Sequence, residues 1–477
     1  MTTKRTKIIA TISDFRCDAP YLKTLFDAGM NVVRINTAHC PIEGAAAIVK
    51  NVREVSDEIA ILIDTKGPEI RTTKTVEDFP LEAGDEIIVR GSDSPDMHSS
   101  REALIVNDGN FVNEVNPGNT ILVDDGDIEL LIKEKKGDTL YCVVNNGGFI
   151  KSRKSVNCPG VSFSLPSLTQ KDKDYINWAI EQDLDFIAHS FVRNAQDLKD
   201  LQVILDENHS HIKLIAKIEN QEGVDNIDEI LDHCYSVMVA RGDLGVELPA
   251  EQIPIAQREL VAKCINSKKP VIIATQMLHT MIENPRPTRA EISDIANAIY
   301  QRVDAIMLSG ETANGKYPVD AVKTMTKVAM AVESNLEDIS EVNMVRVNNE
   351  ITAQLSHSAV RASQNLPVKA IVIDTLTGRT GRYLSAFRGK KPVYALCYRK
   401  HVMRELALSY GIFPTYGEPS IVHDRFSHQL LAKLANENAI CNEDLIAVVG
   451  GSFGSSKGAS FMEISKVVHL LNKALID

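Results

Sequence analysis

Eight short β-branched runs, separated by helix-sized segments, restrict this chain to very few folds. They read KIIATI (7–12), VVRIN (32–36), AILIDT (60–65), FIAHSF (186–191), KLIAKIE (213–219), SVMVAR (236–241), VIIATQ (271–276) and AIMLSG (305–310). Apolar runs alternating with helix-length spacers are the pattern of parallel βαβ units, and eight of them predict a closed (β/α)8 TIM barrel. The third and fourth runs lie too far apart for one crossover, so residues 68–162 are predicted to form an inserted domain. Its alternating segments EIIVR (86–90), TILVDD (120–125) and TLYCVV (139–144) sit between Gly, Asn and Asp turns, which predicts a small β-barrel or sandwich. The alternation resumes with AIVID (370–374), PVYALC (392–397), GIFPTY (411–416) and DLIAVVG (444–450), predicting an open α/β domain over 344–477. The barrel is then split between 1–67 and 163–343, and the polar ISEVNMVRVNNE stretch (339–350) is the candidate linker.

A chain of 477 residues exceeds one ordinary core, which agrees with this division. With 44% hydrophobic and 24% charged residues it is neither disordered nor fibrous. A formal charge of −12 without any basic run repels polyanions, so nucleic acid is not an expected partner. Cysteines at 17, 40, 142, 158, 234, 264, 397 and 441 form no CxxC pair, which argues against zinc and for a reducing, cytoplasmic location. Lys4, Arg5 and Lys7 lead directly into a strand, so no secretory signal is expected, and no apolar window reaches the ~18 residues of a membrane span.

In such a barrel the working side chains project from the C-terminal strand ends. Those ends carry Arg34 and Asn36, Asp64 and Thr65, Lys217 and Glu219, Arg241 and Asp243, Thr275, and Ser309 and Glu311. Lys217 and Glu219 are two apart, so the strand period puts both on one face. With Asp243 on the neighbouring strand, two carboxylates suit Mg²⁺ or Mn²⁺, and the lysine suits charge building on a phosphoryl group or an enolate. Taken singly, Lys217 and Glu219 could be an ordinary ion pair and Asp243 a turn residue in RGDLG. Their convergence with Arg34, Asp64 and Thr275 favours one shared site.

Longer strings then align in order: MNVVRIN (30–36), DTKGPEIR (64–71), VNCPG (156–160), KIEN (217–220), ARGDLGVE (240–247), ATQML (274–278), NPRPTRAE (284–291) and MLSGETA (307–313). On these motifs the chain resembles the pyruvate kinase family along nearly its whole length. The resemblance implies phosphoryl transfer between phosphoenolpyruvate and ADP, giving pyruvate and ATP. Glu219 and Asp243 would hold Mg²⁺ or Mn²⁺, Lys217 would stabilise the transferring group and the enolate, and Arg34 would grip the substrate phosphate. Gly242 and Thr275 would hold the substrate carboxylate, and Ser309 and Glu311 would support the proton-delivery path. Arg71 and Lys154 would meet the nucleotide phosphates, with Asn36 and His39 nearby.

The same resemblance implies K⁺ at Asn36, Asp64 and Thr65, although Ala38, His39 and Cys40 replace the family's usual Ser-His-Gly. Glu69 resembles the K⁺-dependent members. The inserted domain would act as a lid, with Asp124 and Asp125 either brought to the cleft or merely forming a hairpin turn. The loop DTLTGRT (374–380), through Thr375, Thr377, Gly378 and Thr380, resembles the family's loop for a sugar-phosphate or nucleotide effector, whereas GGSFGSSKG (450–458) departs from the family pattern. Further departures are Ser155 for a usual Gly, and Arg302 and Val303 for a small Gly-containing turn. A homotetramer is the family's usual assembly. The other readings are a metal-dependent 2-oxo-acid lyase on a similar barrel, which would have no use for Arg71 or Lys154, and an inactive metabolite sensor.

Overall fold

In the computed structural model, which describes residues 4–338, 342–418, 426–451 and 458–473, the eight runs become the strands of one closed barrel. They are Lys7–Thr11, Val32–Asn36, Ala60–Asp64, Phe186–His189, Lys213–Ile218, Ser236–Ala240, Val271–Ala274 and Ala305–Leu308. All pair in parallel, and the first meets the eighth with Lys7 opposite Ala305. Almost every residue in these strands is buried, because helices cover one face and the barrel interior the other. That is why they read as continuous apolar runs and not as alternations.

Strand parity sorts the buried side chains. Ile9, Val32, Leu62, Ala188, Ile215 and Met238 fill the interior, whereas Ile8, Val33, Ile63, Ile187 and Leu214 pack outward against the helices. Two residues further along the interior rows stand Thr11, Arg34, Asp64, Ser190 and Lys217, so the strand period alone delivers these polar groups to the C-terminal mouth. At the opposite end, Ala407 and Leu408 join the interior cluster and seal the floor.

The insertion forms a six-stranded mixed sheet in the order Val156–Asn157, Thr120–Val123, Ile128–Lys136, Thr139–Asn146, Glu86–Gly91 and Ala103–Val106. Its two edges are joined by the outgoing crossover. The Val156 N–H donates to the Ile70 carbonyl at 2.8 Å and the Thr73 N–H to the Ile105 carbonyl at 2.9 Å. The sheet thereby wraps around its own core of Leu104, Phe111, Leu130 and Leu140. The longest of these strands, IELLIKEKK, escaped the sequence pattern because only its first half alternates in burial.

The C-terminal sheet runs Ile412–Tyr416, Val393–Cys397, Val368–Thr375, Leu445–Gly450 and Phe461–Lys466, the last antiparallel. Four of these strands are the expected runs; FMEISK is an added edge. Residues 452–457 of GGSFGSSKG and 339–341 of the candidate linker lie outside the described residues. The rest of that linker is bound to the barrel: the Val345 N–H reaches the Asn266 carbonyl and Arg346 pairs with Asp232. Arg302 takes a left-handed φ of 61°, which favours glycine, and its buried guanidinium donates to the carbonyls of Arg388 and Glu337. All eight cysteines are free and all but Cys441 are buried. Among the described residues no helix is long and apolar enough to cross a membrane.

Candidate active site

At the barrel mouth a continuous chain of buried charge crosses four strands. Arg34 donates from Nε to Asp64 Oδ2 at 2.7 Å and from Nη1 to Thr11 Oγ1 at 2.9 Å. Asp64 Oδ1 lies 3.0 Å from Lys217 Nζ, which is also 2.9 Å from Glu219 Oε1. Glu219 Oε2 accepts the Phe191 N–H at 2.7 Å. These groups line a cavity of about 390 Å³ together with Asn36, His39, Thr65, Arg71 and Asp243. Asp243 is exposed in the first turn of the helix Arg241–Glu247.

The electrostatics follow from this geometry. Burial alone would lower the Lys217 pKa, but Asp64, Glu219 and Asp243 outweigh it and hold it above the ordinary lysine value. Burial pushes Glu219 up to about 7, with Asp243 and Asp64 adding to the rise and Lys217 opposing it. Burial also works against the Asp64 charge, yet Arg34 and Lys217 bring that carboxyl below its usual range. Within the buried chain Arg34 and Lys217 are answered by Asp64 and Glu219, with Asp243 beside them, so much of their charge is already spent on protein and a polyanionic substrate gains from a further cation.

The donor set fits a hard divalent cation. Glu219 and Asp243 offer oxygen only, and no histidine or thiol lines this cavity beyond the exposed His39. Among the described residues no three His, Cys, Asp or Glu side chains gather to hold an ion unaided. The groups expected for K⁺ are engaged with protein. Asn36 Oδ1 accepts the Ala38 N–H at 3.1 Å, and the Thr65 carbonyl accepts the Ser190 hydroxyl at 2.7 Å.

Beside this cavity, and sharing Asp243 with it, is a second of about 690 Å³ lined by Gly242, Thr275, Arg241 and the insertion's Asp125. Thr275 has φ 67°, and its Oγ1 accepts the Gly242 N–H at 2.7 Å. Arg241 holds that bend by donating to the Thr275 carbonyl at 2.8 Å and to Asp294 at 2.7 Å. Ser309 and Glu311 line neither cavity. Glu311 is buried and accepts the backbone N–H groups of Ser309 at 2.8 Å and Leu278 at 3.1 Å, tying the seventh and eighth strand ends together. On the insertion, Arg71 pairs with Glu69 at 2.7 Å and faces the first cavity. Lys154 lines neither cavity, its ammonium being held by Asp124 at 2.8 Å.

Comparison with known proteins bears directly on this arrangement. Residues 3–322 match a family model described as the pyruvate kinase barrel domain, and residues 353–465 match the pyruvate kinase alpha/beta domain. A pyruvate kinase of Borreliella burgdorferi is 44% identical over 472 residues, covering 98% of each chain. One from Bacillus licheniformis is 42% identical over 98% of this chain and 82% of its own. The crystal structure of a pyruvate kinase from Cryptosporidium parvum superposes with a TM-score of 0.92 at 34% identity, covering 97% of this chain and 96% of that one. The chain belongs to the pyruvate kinase family. Its activity is phosphoryl transfer from phosphoenolpyruvate to ADP, and neither a lyase nor a sensor finds support in any comparison.

Two residues of this pyruvate kinase site went unseen in the sequence. Ser190 accepts from Lys217 Nζ at 2.7 Å, donates to the Thr65 carbonyl, and takes the Thr65 Oγ1 bond through its own N–H at 3.0 Å. Thr11 holds Arg34. Both stand at the ends of the first and fourth strands, where the strand-end rule was not carried through. The loop 374–380 of the C-terminal domain, where an effector was expected, closes on itself: Gly378, at φ 71°, donates its N–H to Thr375 Oγ1 at 2.8 Å, and Thr375 and Thr380 are buried while Thr377 is half-buried.

Proposed function

We propose that the charge chain at the barrel mouth is the phosphoryl-transfer centre, with roles divided by position. Arg34, fixed by Asp64 and Thr11, grips the phosphate of phosphoenolpyruvate. The Gly242–Thr275 bend receives the carboxylate. As the phosphorus–oxygen bond to the enol breaks and an ADP oxygen bonds to phosphorus, Lys217 offsets the charge on both the phosphoryl group and the departing enolate. The enolate then takes a proton at carbon, and Glu311, by holding Ser309, keeps that rim in place. Glu219 and Asp243 would hold Mg²⁺ or Mn²⁺, which supplies the positive charge a polyanionic substrate requires.

Arg71 and His39 face the nucleotide, and Lys154 joins them when the lid closes and Asp124 releases it. Asn36, Asp64 and Thr65 would hold K⁺, with the Ala38 carbonyl or water replacing the missing serine oxygen. Sugar-phosphate or nucleotide binding at Thr375–Thr380, a homotetramer, a cytoplasmic location and division at 67/68, 162/163 and 343/344 belong to the same reading. Buried free thiols support the location.

The observation that carries this reading is the pair Lys217–Glu219 facing one cavity with Asp243. Glu219→Gln and Asp243→Asn are each expected to raise the Mg²⁺ concentration for half-maximal pyruvate formation at least ~10-fold, since each removes one of two protein ligands. Unmoved Mg²⁺ dependence in both variants refutes the assignment. Glu69→Lys is expected to reduce K⁺ dependence; an unchanged K⁺ curve counts against the monovalent site.

A further inference from the structure

A third cavity, of about 360 Å³, lies at the root of the insertion, and apart from Glu69 and Phe191 its lining takes no part in the roles assigned above. Its walls come from both crossover segments, 68–70 and 156–165, from the segments after the fourth and fifth barrel strands, and from Glu247 at the end of the helix after the sixth. Ile70, Val161 and Phe163 make part of it apolar, and three carboxylates, Glu222, Asp225 and Glu247, stand on the barrel side.

The hydrogen-bond partners of those carboxylates are neutral, although Arg193 lies near enough to Glu222 for the two charges to interact. Glu222 accepts the Ser162 hydroxyl at 2.7 Å, Asp225 the Gln221 amide at 2.7 Å, and Glu247 the Asn157 amide at 3.3 Å. The wall's cation, Arg193, is committed to Asp197 at 2.8 Å and to the carbonyls of Phe163 and Leu165. Burial raises the Glu247 carboxyl above its usual range, the Asn157 amide opposing it, so its charge is under-compensated. A phosphate ester or carboxylate is repelled from such a wall, and a neutral ligand leaves the acids unanswered. The volume is near the low end of small-molecule sites, about 300–1,000 Å³, and admits one ring or a short alkyl chain.

We propose that this hinge cavity binds a small amphipathic amine, its apolar body against Ile70 and Phe163 and its ammonium between Glu222 and Glu247. The site is placed to be felt by the reaction centre. Glu69 and Phe191 line both this cavity and the first, and Phe191 is the residue whose N–H holds Glu219.

Calorimetric titration of the full chain with 2-phenylethylamine, 2-phenylethanol and phenylacetate tests it without reference to turnover. The amine should bind saturably at one site, also when phosphoenolpyruvate and Mg²⁺ are saturating, and the alcohol and the acid at least ~10-fold more weakly. The isosteric pair Glu222→Gln with Glu247→Gln should weaken the amine by at least ~10-fold while pyruvate formation stays within about twofold. Val161→Phe, which fills the cavity without touching a carboxylate, should abolish binding. No saturable heat, equal binding of the alcohol, displacement by phosphoenolpyruvate, or an unchanged affinity in the double Gln variant each overturns the proposal.

Discussion

The two ends of the barrel bury the same kind of ion pair and put it to opposite use. At the floor, Arg388 clasps Asp304 at 2.5 Å and Arg404 meets Asp185 at 2.5 Å, with Arg53 adding a third bond to Asp185 at 3.1 Å. The remaining acceptors are filled as well: Asp304 also takes the N–H groups of Tyr410 and Val271, and Asp185 that of Ile61. The space beside Arg388 is about 10 Å³, the volume of about one water-sized probe. At the mouth, Arg34, Asp64, Lys217 and Glu219 are nearly as buried and equally paired, but they face about 390 Å³. A pair sealed in protein joins two domains, whereas one beside open volume is placed to meet a ligand.

Removing one cation at each end should separate these uses. Lys217→Met is expected to lower kcat about 10³-fold, because the charge that develops during transfer loses its nearest donor. Its stability should change little, since Arg34 and Ser190 remain and Glu219, already pushed up to about 7, can accept a proton. Arg388→Met is expected to do the reverse, costing about 3–5 kcal/mol by stranding Asp304 in a sealed pocket. Pyruvate formation per folded molecule should stay within about twofold, as Arg388 touches nothing at the mouth. Denaturant melts read alongside steady-state rates would decide it; a floor variant that lost kcat without losing stability would erase the contrast.

The mouth was legible in the sequence and the floor was not, for a physical reason. Arg34, Asp64 and Lys217 each follow an apolar strand by the strand period, so a local rule puts them on one rim. Where that rule was left unapplied, at the ends of the first and fourth strands, Thr11 and Ser190 were missed. Asp304 and Arg388 are 84 residues apart and Asp185 and Arg404 are 219, so no local spacing announces either pair. The helix start in NPRPTRAE, where Thr288 and Glu291 cap one another, carries a signal as local as the strand period, which the family motif alone did not draw on. The cavity at the root of the insertion could not be read, since its walls come from five separate stretches of chain.

Ser190 sharpens the contrast at smaller scale, because it acts only by holding others. Ser190→Ala is expected to lower kcat about 10- to 100-fold while KM for phosphoenolpyruvate moves less than about threefold, the loss falling on the transition state once Lys217 loses one of its three partners. Ser190→Thr, which restores the hydroxyl, should recover most of the rate. A purely structural role would instead show as lowered stability, with kcat unchanged per folded molecule.

The smallest expected effect concerns protons and Mg²⁺. In the metal-free chain burial raises Glu219 from an ordinary 4.5 to about 7, so the folded state holds a proton there that the unfolded chain has released. That contribution to stability is complete below the unfolded value and is lost as pH rises through about 7. Mg²⁺ takes the carboxylate form, so it must displace the proton at pH 6 but not at pH 8. At one fixed Mg²⁺ concentration, thermal melts should therefore rise by more at pH 8 than at pH 6, the gap amounting to ~1 kcal/mol and a few degrees at most. Glu219→Gln should abolish the gap and Arg388→Met should keep it. Equal Mg²⁺ stabilisation at both pH values, or a gap that survives in Glu219→Gln, would mean that the Glu219 carboxylate at the mouth is not where the ion binds.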